Sequence, residues 1–308
     1  MIYTLTLNPA LDYTIKLENL YLGKINITKE TEILPGGKGI NVSTVLKNLE
    51  IESIAIGFIS GFTGKEIERK LNENNIKTEF IGLENQNSRI IIKIIEKTKE
   101  TAINTKGPNI LKEDIEKLYK KIEKIEDGDF LVLSGSIPNG IDQDIYEKIC
   151  EKLKNKNIKI IVDSTNDLLL KTLKYKPFLI KPNKPELEEI FKAKIKSKQE
   201  AIKYAQILQE KGAKNIIVSM GEEGAVFIDE NKNKYNIGAL KPKKIVNTVG
   251  AGDSMVAGFI AGYLKSNSYE EALRLGAASG GATAFSSDLA TREFIDKLVD
   301  EIKIEKIK

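Results

Sequence analysis

"FLVLSG", residues 130–135, sets four apolar side chains in succession, so both faces of an extended chain would be apolar. A strand with one wet face alternates apolar and polar residues; a run like this belongs to a sheet covered on both sides, as parallel sheets are. "IYTLTL" (2–7), "SIAIGFI" (53–59), "IKIIVD" (158–163), "FLIK" (178–181) and "NIIVSM" (215–220) also read as strands. Between them lie segments of helical period at 39–49, 64–74, 112–124, 142–155, 185–192 and 197–211. In 112–124, Ile115, Leu118 and Ile122 share one face and lysines and glutamates the other. The alternation predicts βαβ units and a doubly wound, mainly parallel α/β sheet flanked by helices, in a single domain over 1–308.

Two insertions break the rhythm. Residues 12–34 hold "YTIKLE" and "KINITKETEIL"; residues 78–105 hold "TEFIGLE", "RIIIKIIEK" and "TAINT". Both alternate with period two and carry turn formers such as Gly23 and Asn85. They predict a small antiparallel β-sheet lid. So small a sheet cannot leave its apolar side in water. It is expected to cover a substrate cleft on one face and, through "RIIIKII", to pair two copies into a homodimer.

Composition removes whole classes of chemistry. The chain of 308 residues has no histidine and one cysteine, Cys150, so Ser–His–Asp and Cys–His catalysis, His-based zinc sites and disulfide frameworks are excluded. Proton transfer falls to a carboxylate, a lysine or a tyrosine. Cys150, in "IYEKICEKL", reads as a buried helix residue, and the cytoplasm is the expected compartment. The net charge of +4 comes from 48 basic and 44 acidic residues without a basic block, which predicts no nucleic-acid partner. No basic n-region opens the chain, and the longest apolar run, "MVAGFIAGYL", has ten residues, too few to span a bilayer.

Chemistry is written in two glycine clusters. In "NTVGAGDSMVAGF" (247–259), Gly250, Ala251 and Gly252 lead through Asp253 into an apolar helix. Unpaired N–H groups and the positive end of the dipole make such a helix start an anion site. Asp253 at its lip could accept a hydroxyl proton while the amides hold developing charge. The alternative is an Asp N-cap after a glycine turn, worth about 1 kcal/mol. The segment is neither a Walker A loop nor GxGxxG, since Met255 occupies the last glycine position. In "PGGKGINVSTVLKNL" (35–49), Gly36, Gly37 and Gly39 allow close approach, and Lys38 and Asn41 supply a cation and an amide. Arg89 is one of four arginines beside 44 lysines and begins the apolar strand of the lid. A planar guanidinium is the better phosphate ligand, so with Lys38 it would hold a phosphate; the alternative is an exposed strand-end cation.

"GGKGINVSTVL" and "NTVGAGDSMVAGF" together resemble the two signatures of the PfkB (ribokinase-like) carbohydrate kinases. "SGSIPNG" (134–140), "DST" (163–165), "IKPNKPELEE" (180–189) and "VSMGEEGAVF" (218–227) resemble further blocks in the family's order, so the likeness covers essentially the whole chain. "TLTLNPALD" resembles the branch that phosphorylates sugar phosphates. The resemblance implies an ATP- and Mg²⁺-dependent kinase of a ketohexose monophosphate, fructose 1-phosphate first and tagatose 6-phosphate second, since Ile27 stands where tagatose-6-phosphate kinases tend to carry arginine. By the same resemblance Asp253 would be the base, and Gly250, Ala251 and Gly252 the anion hole. Asn183 and Glu186 would orient Mg²⁺ and phosphates, mostly through water. Ser219, Met220, Gly221, Glu222, Glu223 and Gly224 would border ATP, with Asn183, Thr248 and Val249. Asp12 would hold sugar hydroxyls beside Gly37, Lys38 and Asn41. Asn183 and Glu186 have a structural alternative as a turn residue and a first-turn dipole partner. A kinase of a neutral sugar, for which Lys38 and Arg89 would be unnecessary, and a non-catalytic sugar-phosphate sensor on the same fold are the competing readings.

Overall fold

The computed structural model describes residues 1–28, 30–97, 99–240 and 245–307. In chain order its strands begin with β1 (Ile2–Thr6), β2 (Ala10–Lys16), β3 (Glu30–Gly36), β4 (Ile54–Ser60), β5 (Lys77–Leu83), β6 (Arg89–Ile95) and β7 (Glu100–Asn104). They continue with β8 (Phe130–Ser134), β9 (Lys159–Asp163), β10 (Leu179–Ile180), β11 (Asn215–Ser219), β12 (Ala225–Ile228), β13 (Lys234–Ile237) and β14 (Ile304–Ile307). The first helices are α1 (Lys38–Asn48), α2 (Gly61–Glu73), α3 (Lys112–Ile122), α4 (Ile145–Leu153) and α5 (Asn166–Thr172). The rest are α6 (Lys184–Phe191), α7 (Lys198–Glu210), α8 (Ala251–Ser266), α9 (Tyr269–Ala284) and α10 (Arg292–Leu298).

The main sheet runs β14-β13-β12-β11-β10-β9-β8-β1-β4-β5, parallel from β11 to β5 and antiparallel at its β12–β14 edge. The opening stretch shows why it is covered twice. All of β8 is buried, with Leu131 and Leu133 in a core shared with α3, α4 and α7. Phe130 and Val132 face a second core with α1, α8, α9 and α10. Alternate side chains thus serve two cores, and no position is left for a polar residue until Ser134 at the carboxyl end. Cys150 is 1% exposed on α4, as expected of a packing residue. No helix among the described residues is long and apolar enough to cross a membrane.

The second sheet, β3-β2-β6-β7, is the lid, and it corrects two expectations. "TEFIGLE" is not part of it: β5 pairs with β4 in parallel and forms an edge of the main sheet. An edge strand alternates just as a lid strand does, so periodicity could not separate them. The second insertion therefore starts after Leu83 rather than at residue 78. Nor is the lid purely antiparallel. β2 pairs with β3 and β6 with β7 antiparallel, but β2 and β6 run parallel. Both continue from strands, β1 and β5, that leave the main sheet in the same direction, so they enter the lid side by side with the same polarity. Lys29 and Thr98, within the expected insertions, lie outside the described residues.

Candidate active site

The carboxyl ends of the parallel strands collect the polar residues that the cores exclude, as open α/β sheets do. Thr6, Ser134 and Asp163 end β1, β8 and β9 at one register. Lys181 follows β10, and Asn183 forms a parallel bridge with Ser219 at the end of β11. Two helices aim their N-termini at this edge. α1 begins at Lys38, and its Ile40 N–H donates to Thr6 Oγ1 at 3.1 Å. α8 begins just after Gly250.

Gly250 is the N-cap of α8, with φ +81°, and a Cβ there would come within 2.7 Å of Leu289. Asp253 is the third helical residue and makes no capping bond, so the N-cap alternative does not hold. Its side chain is instead buried, and Oδ2 accepts from Asn41 Nδ2 at 2.8 Å. One helix thereby orients the carboxylate of the other. A Cβ on Gly252 would lie 3.0 Å from Lys181 Nζ, so the missing side chain leaves room for an ammonium beside the first turn of α8. The N–H groups of Gly252 and Asp253 meet no acceptor among the described residues.

Two buried carboxylates face this point and are driven apart in charge. Asp163 pairs with Lys181 at 3.3 Å and with Lys38 at 3.4 Å. Burial works to raise it, but the two ammonium groups hold it below the ordinary carboxylate range. Asp253 has no such pair. Burial, reinforced by the Asp163 charge, pushes it up to about 7 against the pull of Lys38, the Asn41 amide and Lys181. Lys38 is raised in the end: burial opposes its charge, yet Asp163, Asp253 and Glu186 favour it.

A cleft of about 220 Å³ opens beside this centre, lined by Thr6, Asn8, Gly37, Lys38, Arg89 and the 134–136 turn. Arg89 Nε donates to the Asn8 carbonyl at 3.1 Å, and no carboxylate among the described residues lies within ion-pair distance of its guanidinium. Burial lowers its pKa while Asp12 partly restores it. Asp12 pairs with Lys93 at 2.7 Å through Oδ2. Tyr146, fully buried, donates its hydroxyl to the Gly135 carbonyl at 3.2 Å and anchors the turn. A larger hollow of about 430 Å³ lies at the amino ends of β4 and β5, where Glu52 and Lys77 pair with each other at 2.7 Å. None of the residues above lines it.

On the other flank, Asn183 and Glu186 close a capping box on α6: each side chain accepts from the other's backbone N–H at 2.8 Å. Glu186 thus stands in the first turn of α6, as its structural alternative had it, while Asn183 is the N-cap of that helix rather than a plain turn residue. Met220 is buried, Gly221–Glu223 make one 3₁₀ turn, Gly224 follows at φ +84°, and Glu223 pairs with Lys184 at 3.0 Å. Glu222 lies in that turn, and Thr248 and Val249 are exposed on the loop before Gly250. The structure brings Lys38, Asn41, Asp253 and residues 250–252 together, with Gly37 and Arg89 on the adjoining cleft and Asp12 beside it. Asp163, Lys181 and Lys93 were not singled out from the sequence. A lysine closing the apolar strand "FLIK", and another interrupting "RIIIKII", were the available signals.

The family model described as pfkB family carbohydrate kinase matches residues 5–293. A 1-phosphofructokinase of Bacillus subtilis is 44% identical over 309 residues, covering all of both chains. A D-tagatose-1-phosphate kinase of Bacillus licheniformis is 38% identical, covering 99% of each chain. The crystal structure of phosphofructokinase-2 from Escherichia coli with substrates and products superposes with a TM-score of 0.90 at 28% identity, covering 97% of this chain and 98% of that one.

Asp253→Asn is expected to fold and to lower turnover by about 10²–10⁴-fold, the usual worth of a general base; retention of a tenth of the rate would remove Asp253 from that role. In the unmodified protein kcat should climb with pH through about 7. Asn41→Ala should displace that limb to higher pH, because the amide favours the ionised form. The folded value lies above that of an unfolded aspartate, about 3.9, so the protonated carboxyl contributes fully below about pH 4 and that contribution is lost as pH rises through about 7. Denaturant unfolding should therefore show Asp253→Asn gaining up to a few kcal/mol on the parent between those limits.

Proposed function

The chain belongs to the pfkB family of carbohydrate kinases, and from that premise we propose that it is a 1-phosphofructokinase, moving the terminal phosphoryl group of ATP to the C6 hydroxyl of fructose 1-phosphate. The observation that carries the substrate is the pair of cations, Lys38 and Arg89, on a cleft adjoining a buried carboxyl poised near neutrality. A neutral sugar would leave Arg89 without a counter-charge, and a sensor has no use for a base.

In this reading Arg89 and Lys38 hold the C1 phosphate and Asp12 accepts from sugar hydroxyls. Asp253 takes the C6 hydroxyl proton as the oxygen attacks the γ-phosphorus in line. The first-turn amides around Gly250, Ala251 and Gly252 face the charge that the moving phosphoryl group spreads over its oxygens. Lys38 and Lys181 add positive charge that Asp163 keeps in place. ATP would lie along the carboxyl ends of β10 and β11, bordered by Asn183, Ser219 to Gly224, Thr248 and Val249. Lid closure would exclude water from the transfer.

Mg²⁺ suits the donor set here in one way only. Among the described residues no group of three or more His, Cys, Asp or Glu side chains could hold a metal. Asn183 and Glu186 offer hard oxygens but are tied to each other's backbone, which fits an ion held by nucleotide phosphates and water rather than by a protein cage. Such an ion would neutralise charge on the phosphates.

The lid supports a dimer. β7 is exposed along its length, and Leu22, Ile25 and Ile27 beside β2 and β3 are 86–92% exposed, an unusual surface for a monomer. A second copy would cover it.

The similarity to a D-tagatose-1-phosphate kinase favours tagatose 1-phosphate as the second substrate, ahead of tagatose 6-phosphate. It differs from fructose 1-phosphate only at C4 and presents the same phosphate. ADP release with MgATP should be fastest with fructose 1-phosphate and at least tenfold slower with tagatose 6-phosphate, fructose 6-phosphate, fructose or ribose. Preference for a neutral sugar would overturn the role of the cations. Sedimentation should give a dimer that Ile25→Lys combined with Ile27→Lys converts to a monomer; a monomeric parent would exclude the lid interface.

A further inference from the structure

Buried polar groups are nearly always paired, so a cluster that is not paired marks what a protein waits for. Among the described residues, Asn8 Oδ1, Asp12 Oδ1 and Ser134 Oγ are buried and have no hydrogen-bond partner. Asn8 and Ser134 line the same cleft as Lys38 and Arg89, and Asp12 stands beside it on β2. Ser134 is the decisive one, being 0% exposed. Its neighbours in register are both engaged: Thr6 Oγ1 accepts from Ile40, and Asp163 is held by two lysines. Thr172 satisfies itself locally on the Leu169 carbonyl and Ser266 on that of Gly262. Ser134 does not, although alanine would pack in its place. Ser164 Oγ, the other buried hydroxyl without a partner among the described residues, does not line this cleft.

We propose that Ser134 is a substrate-contacting residue whose hydroxyl bonds a ring hydroxyl of the phosphosugar; this rests on the reading of the cleft given above. The donor and acceptor inventory gives the direction of the sugar. Lys38 and Arg89 only donate and match a phosphate. Asp12 Oδ1 and Asn8 Oδ1 only accept and match hydroxyls that give their protons. Ser134 does both, so it can bridge one sugar hydroxyl to the next partner. Tyr146, fixing the adjacent Gly135 carbonyl, keeps the end of β8 from relaxing to satisfy Ser134 internally.

The prediction is a pair of opposite signs. Without ligand, Ser134→Ala should melt at or above the temperature of the parent, because an unpaired buried hydroxyl has been removed. With fructose 1-phosphate its thermal shift should shrink and its KM for that sugar rise about tenfold or more, while the shift with MgATP is kept. Ser134→Cys, of similar volume with a weak donor, should fall between the two and decides the matter should the alanine variant not fold. A lower melting temperature with unchanged sugar KM would make the hydroxyl structural and overturn the proposal. Loss of the MgATP shift in place of the sugar shift would overturn it as well. A parent that turns over fructose 1-phosphate beside a variant of equal KM refutes only the role of Ser134; a parent inactive on every sugar phosphate refutes the function and this inference together.

Discussion

Asp163 and Asp253 cannot both be fully charged in the same buried space without help, and the help is unequal. Two lysines reach Asp163, one of them itself buried, and keep it ionised. Asp253 has no ion pair; burial, reinforced by the Asp163 charge, holds its proton until about neutral pH, although Lys38, the Asn41 amide and Lys181 favour the ionised form. Separated proton affinities of this kind distinguish the two: one carboxylate is a fixed charge, the other a group able to exchange a proton near neutral pH, as the proposed base must. The arrangement requires the ends of β9 and β10 and the starts of α1 and α8 to meet at one place. The parallel sheet brings them there, because every crossover returns to the same edge.

The backbone adds to the positive potential at that edge. Two helix N-termini converge there, and an anion placed between them sees unpaired amides as well as Lys38 and Lys181. Gly250 and Gly252 serve this geometry in different ways, one by taking a left-handed conformation and the other by leaving space for Lys181. A side chain at either position would push the cation or the helix start away from where charge must be met.

The fold was legible because its signal is repeated. Six apolar strands separated by amphipathic helices leave few alternatives, and "FLVLSG" alone implies two covering layers. β5 was misassigned because an edge strand and a lid strand carry the same alternation; only pairing tells them apart. In the site, Asp253, Lys38, Asn41 and Arg89 were visible because glycines or an uncommon residue type mark them. Asp163 and Lys181 were not, since an aspartate or lysine at a strand end is usually solvated, and their burial is a property of packing rather than of local sequence. Asn183 and Glu186 illustrate the reverse limit. Their spacing is that of a capping box as well as of a ligand pair, and the structure shows the capping box formed.

The unpaired atoms of the cleft are a second constraint, independent of the proposed base Asp253. A site selected only for stability would have paired Arg89 with a carboxylate and replaced Ser134 by alanine. Instead a guanidinium without an ion partner, two acceptors without donors and a hydroxyl without either stand around one cleft. Their chemical complement is a molecule with an anionic end and several hydroxyls, which is the description of a phosphosugar. Each such group weakens the free protein, and the loss is recovered only when the complement arrives. Asp12 and Arg89 come from the lid sheet, so under the proposed function a bound sugar would favour closure of that sheet over the cleft. Recognition and closure would then be one event under the proposed function, and hydrolysis of ATP in the absence of sugar would be disfavoured by the acceptors and cations that remain unmet.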